Sequence, residues 1–280
     1  MATPIGNLAD LTLRAIHVLA LVDALACEDT RVSAGLLRHL GLDKPLIALH
    51  QHNEIQATTL VLQRLAQGQR VAYVSDAGTP AVSDPGAALV AQVAEAGCRV
   101  LPIPGASSAL AALSVAGDAR SSGFEFIGFL PSRGAERAAA LRRLGPAASA
   151  QLLFEAPHRI ETLARELAAL APQRRVTLCR ELTKQFETVA TMPSAELPVW
   201  LAADANRLRG EFVLVLHAPE PAYEPGDGPS AAAIDMLGVL LRELPLKQAV
   251  RLAAELSGAP RNALYQAALQ RKAAAPDGNE

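Results

Sequence analysis

Ser75-Asp76-Ala77-Gly78-Thr79-Pro80-Ala81-Val82-Ser83-Asp84-Pro85-Gly86 sits between two patterned stretches. Ahead of it, Arg70-Val71-Ala72-Tyr73-Val74 is a short apolar run of the kind that forms a buried strand. Behind it, Ala87 to Ala96 has a helical pattern, opened by proline and closed by Gly97. The stretch is therefore a loop at the carboxyl end of a strand, where open α/β sheets bind ligands. Its glycines and prolines fix an irregular backbone that can approach a ligand closely. A phosphate cradle pairs backbone amides with a cation. This loop has no Lys or Arg and carries Asp76 and Asp84 instead. Those carboxylates suit a ligand with hydroxyls, an amine or a positive centre. The plainer alternative is a strand-to-helix turn, with Asp84 capping a helix that starts at Pro85; for Asp84 itself, capping is the preferred reading.

The same arrangement recurs on either side. Leu11 to Leu21 reads as a helix capped by Asp10, and Ala24 to Cys27 as a strand ending in Glu28-Asp29-Thr30-Arg31. Helix Val32 to Leu40, strand Pro45 to Leu49 and helix Ile55 to Ala66 follow. Arg99 to Ile103 reads as a further strand, ending in Pro104-Gly105-Ala106-Ser107-Ser108 before helix Ala109 to Ala116. Three strand ends carrying polar loops fit a doubly wound ligand site. Capping of the next helix is the competing role for Glu28 to Arg31 and for Ser107 and Ser108. His50 and His52 form a pair without an evident third ligand, so no metal is expected.

Gly117 to Gly123 is a polar, glycine-rich break and is placed as a domain boundary, which gives domains of residues 1–118 and 119–218. The second contains strand Phe124 to Phe129 and a helix after Pro131-Ser132-Arg133-Gly134 that carries Arg137, Arg142 and Arg143. Strand Gln151 to Phe154, helix Ile160 to Leu170 and strand Val176 to Cys179 come next, then Arg180-Glu181-Leu182-Thr183-Lys184. A strand over Gln185 to Thr191, a helix over Pro193 to Ala203 and a strand over Gly210 to Leu216 complete it. The arginines of the 131–143 segment are a solvated face or a phosphate-contacting patch. Residues 219–230 read as a linker, 231–272 as three helices with a helix-turn-helix spacing, and 273–280 as a disordered tail.

Bulk properties narrow the function. The 280 residues suffice for two domains with proper cores, and a net charge of −2 supplies no global attraction for nucleic acid. The basic charge is mostly Arg, a planar fork suited to phosphates or base edges. Cys27, Cys98 and Cys179 have neither disulfide nor zinc spacing and read as reduced core residues. Without an apolar run of about 18 residues or a signal-like start, a cytoplasmic protein with no membrane contact is expected.

Ala2-Thr3-Pro4-Ile5-Gly6-Asn7-Leu8, Glu28-Asp29-Thr30-Arg31, the loop Ser75 to Gly86, Gly128-Phe129-Leu130-Pro131 and Arg180-Glu181-Leu182-Thr183-Lys184, in this order, resemble the ribosomal RNA small subunit methyltransferase I family, the RNA branch of the tetrapyrrole methylase superfamily. The resemblance runs from residue 2 to about 217, and the helical tail is similar to that family's C-terminal domain. It implies an α/β fold of two domains of the class III methyltransferase type, S-adenosylmethionine in the cleft between them, a small helical module and a homodimer. It also implies 2′-O-methylation of a decoding-centre cytidine, cytidine 1402, of 16S rRNA in the small ribosomal subunit. The family's cofactor loop falls on Gly78, Thr79, Pro80, Val82 and Ser83, joined by Asp76, and its second cofactor turn on Ser107 and Ser108. Pro4 and Ile5 are expected to close one side of the pocket. Relatives carry a first strand ahead of the Ala2 to Leu8 motif. Met1 stands directly before it here, so either an open, weakened sheet or a different segment in that place is expected.

Methyl transfer from a sulfonium is an in-line displacement, helped chiefly by positioning, and a ribose hydroxyl profits from a nearby base or polarising cation. Glu28, Glu181 and Lys184, at strand ends facing the implied cleft, are the catalytic candidates. Arg31, Arg133, Arg137, Arg142, Arg143, Arg159 and Lys184 are the RNA-contact candidates. The competing readings are a small-molecule methyltransferase of tetrapyrrole type and a non-catalytic RNA or ribosome assembly factor.

Overall fold

The computed structural model describes residues 1–50, 53–82, 86–145, 147–219 and 229–274. His52, Ser83, Asp84 and Pro85, most of the expected linker (220–228) and residues 275–280 of the expected tail lie outside the described residues. The chain divides into two compact units, Met1–Pro219 and Glu220–Glu280.

In the first unit, α1 (Leu13–Leu21), β1 (Ala24–Cys27), α2 (Thr30–His39), β2 (Leu46–Ala48), α3 (Glu54–Ala66) and β3 (Val71–Val74) alternate, as a parallel sheet requires. The strand order is β2-β1-β3, all parallel. All four β1 residues are buried, because helices cover both faces. Leu25 and Cys27 pack with residues of α1 and α2, while Ala24 and Ala26 pack with those of α3 and of α4 (Gly86–Glu95). The expected Asp10 cap is corrected. Asn7 opens a 3-10 turn, Leu8–Asp10, and Thr12 caps α1, its hydroxyl oxygen accepting from the Ala15 amide at 3.1 Å.

α5 (Ser108–Ala116) leads into the second sheet. The elements are β4 (Phe124–Phe129), α6 (Gly134–Leu144), β5 (Ala150–Glu155), α7 (Ile160–Leu170), β6 (Arg175–Arg180), β7 (Thr188–Pro193), α8 (Leu197–Ala202) and β8 (Phe212–Leu216). Their order is β4-β5-β8-β6-β7. β4 and β5 are parallel, and β8 runs antiparallel to both β5 and β6. Leu153, Leu178 and Leu214 join residues of α6, α7 and α8 on one face; Leu152, Cys179 and Val213 join Ile5 and residues of α5 on the other. The helix expected over 193–203 is a 3-10 turn, Ser194–Glu196, followed by α8, with a proline in the first turn of α8. The seventh strand starts later than expected because Glu187 closes the preceding turn: its amide donates to Lys184 O at 3.1 Å, and its carboxylate accepts from the Thr183 amide at 2.6 Å.

Arg99 to Ile103, expected as a strand, is not one. A strand needs a partner, and β3 is bonded only to β1. Between β3 and Arg99–Ile103 lies a cavity of about 680 Å³ with mostly apolar walls. Met1 and Ala2 line one end of it: the Met1 ammonium donates to Tyr73 O at 2.8 Å and the Ala2 amide to Ile103 O at 3.1 Å.

The second unit contains α9 (Ala231–Glu243), α10 (Leu246–Ser257) and α11 (Arg261–Ala274), packed through Leu237, Val250 and Leu264. Ser230 caps α9, and Gly258, at φ +70°, ends α10 in the left-handed conformation. Among the described residues no helix is long and apolar enough to cross a membrane.

Candidate functional site

Four segments meet at the carboxyl ends of β1 and β3: the Thr3 stretch, the turns after β1 and β3, and the turn before α5. The Thr3 amide donates to Gly78 O at 2.9 Å, and the Gly78 amide donates back to Thr3 O at 3.1 Å. The Thr3 hydroxyl donates to Ser75 O at 3.1 Å, and the Thr79 hydroxyl to Ala106 O at 3.0 Å. Asp76 Oδ1 accepts from the Asp29 amide at 2.9 Å, joining the ends of β1 and β3. Gly78 is at φ +79°, and a Cβ there would lie 3.3 Å from Ile5 Cγ2. The dihedral therefore favours glycine, and the space for a Cβ is tight.

These loops enclose a cavity of about 140 Å³. Of the candidate cofactor residues, Asp76, Gly78, Thr79, Val82, Ser107 and Ser108 line it, as does the catalytic candidate Glu28. The remaining cofactor candidates stand elsewhere. Ile5 is buried behind Gly78 in the α5 cluster and, like Pro4, does not reach the cavity wall. Pro80 turns toward the 680 Å³ cavity beside β3. Ser83 is outside the described residues. The capping alternative holds for Asp29, whose Oδ1 accepts from the Arg31 amide at 2.8 Å at the start of α2. It does not hold for Ser107, which precedes α5 without a side-chain cap bond.

Phe154 completes the wall, and the sequence reading missed it. Its ring packs edge-on against Phe126 and Phe129, with centroids 5.1 and 5.6 Å away. In a run such as Gln151-Leu152-Leu153-Phe154 an aromatic residue looks like core. The available signal was its place near the carboxyl end of a strand.

Glu181 and Lys184 lie in the loop after β6 and do not line the cavity. Glu181 and Thr183 adopt φ +52° and +67°, rare for residues with side chains and a form of stored strain that clusters at functional sites. Glu181 Oε1 accepts from Lys184 Nζ at 2.9 Å and from the Glu211 amide at 2.9 Å; Lys184 Nζ also meets Glu211 Oε2 at 2.8 Å. Burial alone would raise the Glu181 carboxyl, but the Glu211 amide and the Lys184 ammonium outweigh it and hold it below the ordinary value. Burial opposes the Lys184 charge, yet the Glu211 and Glu181 carboxylates hold the ammonium above its ordinary value. Lys184 is thus a fixed cation and Glu181 a weak base. Gly6 ties this loop to the first one, since any Cβ on it would collide with the Lys184 side chain. One segment, Thr3 to Gly6, therefore touches both the cavity loop and the lysine.

The arginine candidates separate. Arg137 is withdrawn from the RNA-facing set: its side chain is 8% exposed, its Nη2 lies 2.6 Å from Glu166 Oε2, and its Nη1 donates to Pro131 O at 3.0 Å. Arg159 likewise turns inward, with Nε 3.0 Å from the buried Glu155 Oε1 and Nη2 donating to Leu130 O at 2.6 Å. Together these arginines brace the turn after β4. Arg133, Arg142 and Arg143 are exposed. Arg31 is 89% exposed and forks onto Asp29, whose carboxyl its guanidinium lowers to about 2. Among the described residues no three His, Cys, Asp or Glu side chains gather as metal ligands.

The arrangement has known counterparts. Residues 2–198 match the family model for tetrapyrrole (corrin/porphyrin) methylases, and residues 227–272 match that of the RsmI C-terminal HTH domain. The chain is 47% identical over 273 residues to the ribosomal RNA small subunit methyltransferase I of Pseudomonas aeruginosa, covering 97% of this chain and 96% of that protein. It is 46% identical over 272 residues to the protein of the same name from Neisseria meningitidis serogroup B, covering 97% and 92%. Among solved structures, diphthine synthase aligns over 76% of this chain and 87% of its own, with a TM-score of 0.59 at 16% identity. Uroporphyrin-III-C-methyltransferase from Thermus thermophilus aligns over 78% and 92%, with a TM-score of 0.55 at 19% identity. At these identities the two structures speak for the fold alone.

Proposed function

The chain belongs to the ribosomal RNA small subunit methyltransferase I family, within the tetrapyrrole methylases, and on that premise we propose that it transfers a methyl group from S-adenosylmethionine to the ribose 2′-hydroxyl of cytidine 1402 in 16S rRNA. The observation that carries this reading is the cation-free cavity at the carboxyl ends of β1 and β3. Its donor set suits the cofactor. Hydroxyls of Thr79, Ser107 and Ser108 and backbone at Gly78 match ribose and carboxylate groups, while the Glu28 and Asp76 carboxylates favour a positive centre. Val82 and Phe154 supply apolar walls, and an aromatic face attracts a cation. About 140 Å³ is smaller than the roughly 300–1,000 Å³ of typical small-molecule sites, so the enclosed part takes a portion of the molecule.

S-adenosylmethionine, when bound, supplies the activated methyl group. The protein's own part is positioning and electrostatics. Thr3 to Gly6 holds the cavity loop and the Lys184 loop in one register. Lys184, kept charged by Glu181 and Glu211, favours negative charge developing on the substrate oxygen or binds a neighbouring phosphate. Glu28, which lines the cavity, accepts the hydroxyl proton in this reading. Arg31, Arg133, Arg142 and Arg143 contact RNA phosphates. Residues 1–118 serve as the cofactor domain, 119–218 as the second α/β domain, and 231–272 as the helical module of a homodimer. The test uses purified small ribosomal subunits, labelled S-adenosylmethionine and mapping of 2′-O-methyl positions. Methylation of a base, or of no RNA position, overturns the reading, and methylation of a tetrapyrrole instead replaces it.

A further inference from the structure

β6 and β7 form a hairpin whose ladder closes at the pair Arg180 and Thr188, so residues 181–187 make its turn. Most hairpins need a loop of only about two to five residues. This one is longer, and it is firmly built. The Glu181 amide donates to Glu211 O at 3.0 Å and the Lys184 amide to Glu181 O at 3.0 Å. Leu182 is buried in the cluster of Ile5, against which the cavity-wall residue Phe154 also packs. Arg180, itself buried, reaches under the turn: its Nε donates to Arg209 O at 2.6 Å and its Nη1 to Phe186 O at 3.0 Å. The Thr188 hydroxyl donates to the same Phe186 oxygen at 3.3 Å.

What this scaffold holds up is Phe186. Its carbonyl is gripped twice, yet Phe186 is 65% exposed, more than any other aromatic residue among the described residues. It joins none of the apolar clusters that the described residues form. One exposed apolar side chain on a loose loop needs no explanation. Phe186 differs in two respects. Its backbone is fixed, and it stands two residues from Lys184, whose ammonium Glu181 and Glu211 hold in place. A fixed cation and an exposed aromatic ring on one turn suit an unpaired nucleotide: the cation takes the phosphate and the ring takes the face of the base. An apolar protein partner would account for the ring but not for the cation.

We propose that Phe186 is a base-stacking residue: an unpaired base of the RNA, next to the nucleotide that is methylated, lies on its ring while Lys184 meets the adjoining phosphate. The inference rests on the rRNA methyl-transfer reading and deepens it. Stacking fixes the plane of a base and leaves its edges free, so it holds the strand without demanding a sequence. Held in this way, the neighbouring ribose has less freedom to leave the in-line geometry that methyl transfer needs.

The test measures binding and methylation of purified small ribosomal subunits by the full chain. Phe186→Ala is expected to weaken subunit binding at least about fivefold and to raise KM by as much. Affinity for S-adenosylhomocysteine, the salt slope of RNA binding and the melting temperature are expected to stay as in the parent, because no cofactor contact, phosphate contact or core packing is lost. Phe186→Tyr is expected to retain the parent's binding. Phe186→Leu, apolar but without a π-face, is expected to behave as Phe186→Ala. Unchanged binding by Phe186→Ala overturns the proposal, as does full binding by Phe186→Leu. A loss of self-association that accompanies the loss of binding assigns the ring to a second copy and overturns it too. A parent chain that methylates no RNA refutes the methyl-transfer reading itself, and this inference with it.

Discussion

Gly78 offers the most direct test of the small cavity. Its φ of +79° lies where a β-branched side chain is strained, and Ile5 stands 3.3 Å from the added Cβ. Gly78→Val is expected to weaken S-adenosylhomocysteine binding at least tenfold by calorimetry, and Gly78→Ala by less. Preserved affinity in the valine variant would remove the loop from the site. Arginine side chains show how much a residue type reveals without its neighbours. Arg137 and Arg143 read alike in a sequence, yet Arg137 belongs to the buried face of α6 with Ala140 and Leu144, and Glu166 completes it from α7. Arg137→Ala is expected to cost about 3–5 kcal/mol in chemical denaturation, since it leaves Glu166 without its partner and the buried Glu155 with Arg159 alone. The pair Arg142→Ala and Arg143→Ala is expected to leave stability unchanged and to lower the salt slope of RNA binding by about one to two. An unaltered slope would show that this face does not meet RNA.

Most elements were legible because apolar runs between Gly and Pro residues admit one period. β1, β4 and α7 came close to residue accuracy. Arg99–Ile103 has the same composition as a strand but no partner, and a propensity is realised only where a ladder exists. The cavity loop was legible through its chemistry, glycine with carboxylates and no cation. The loop after β6 was legible only in part: its charged residues Glu181 and Lys184 stand out in the sequence, but the positive φ values and the Glu211 partner arise from tertiary contacts. A polar network inside the second sheet was not foreseen. The Thr177 hydroxyl lies 2.7 Å from both His217 Nε2 and Thr191 Oγ1. Burial holds the His217 imidazole below its ordinary value of 6.5, against Asp118, which favours the charge, and with Arg175, Arg120 and Arg174, which oppose it. A depressed histidine is more easily protonated in the unfolded chain, so its contribution is complete above pH 6.5 and declines as pH falls through that value. Stability is expected to drop below pH 6.5 with a slope of up to about 1.4 kcal/mol per unit, and His217→Gln is expected to flatten it. An equal slope in both proteins would exclude His217 as the source.

At the scale of the whole molecule, the strand order β4-β5-β8-β6-β7 has a consequence in time. β8 lies between β5 and β6 although it is last in the chain, roughly sixty residues after β5. During synthesis at about 5–20 residues per second, β5 waits about 3–12 s for its inner neighbour. Until then the nascent second sheet is two separate two-stranded ribbons, β4 with β5 and β6 with β7, and such ribbons are marginal in water. The first sheet has no such delay, since β1, β2 and β3 are complete by residue 74. A chain stopped after Arg209 is expected to lack a cooperative melting transition for its second half and to be cleaved there by protease, while the region around β1 stays protected. Cooperative melting of that shortened chain would show that the two ribbons hold without their keystone. The last strand to leave the ribosome is the one that makes the second sheet a single object.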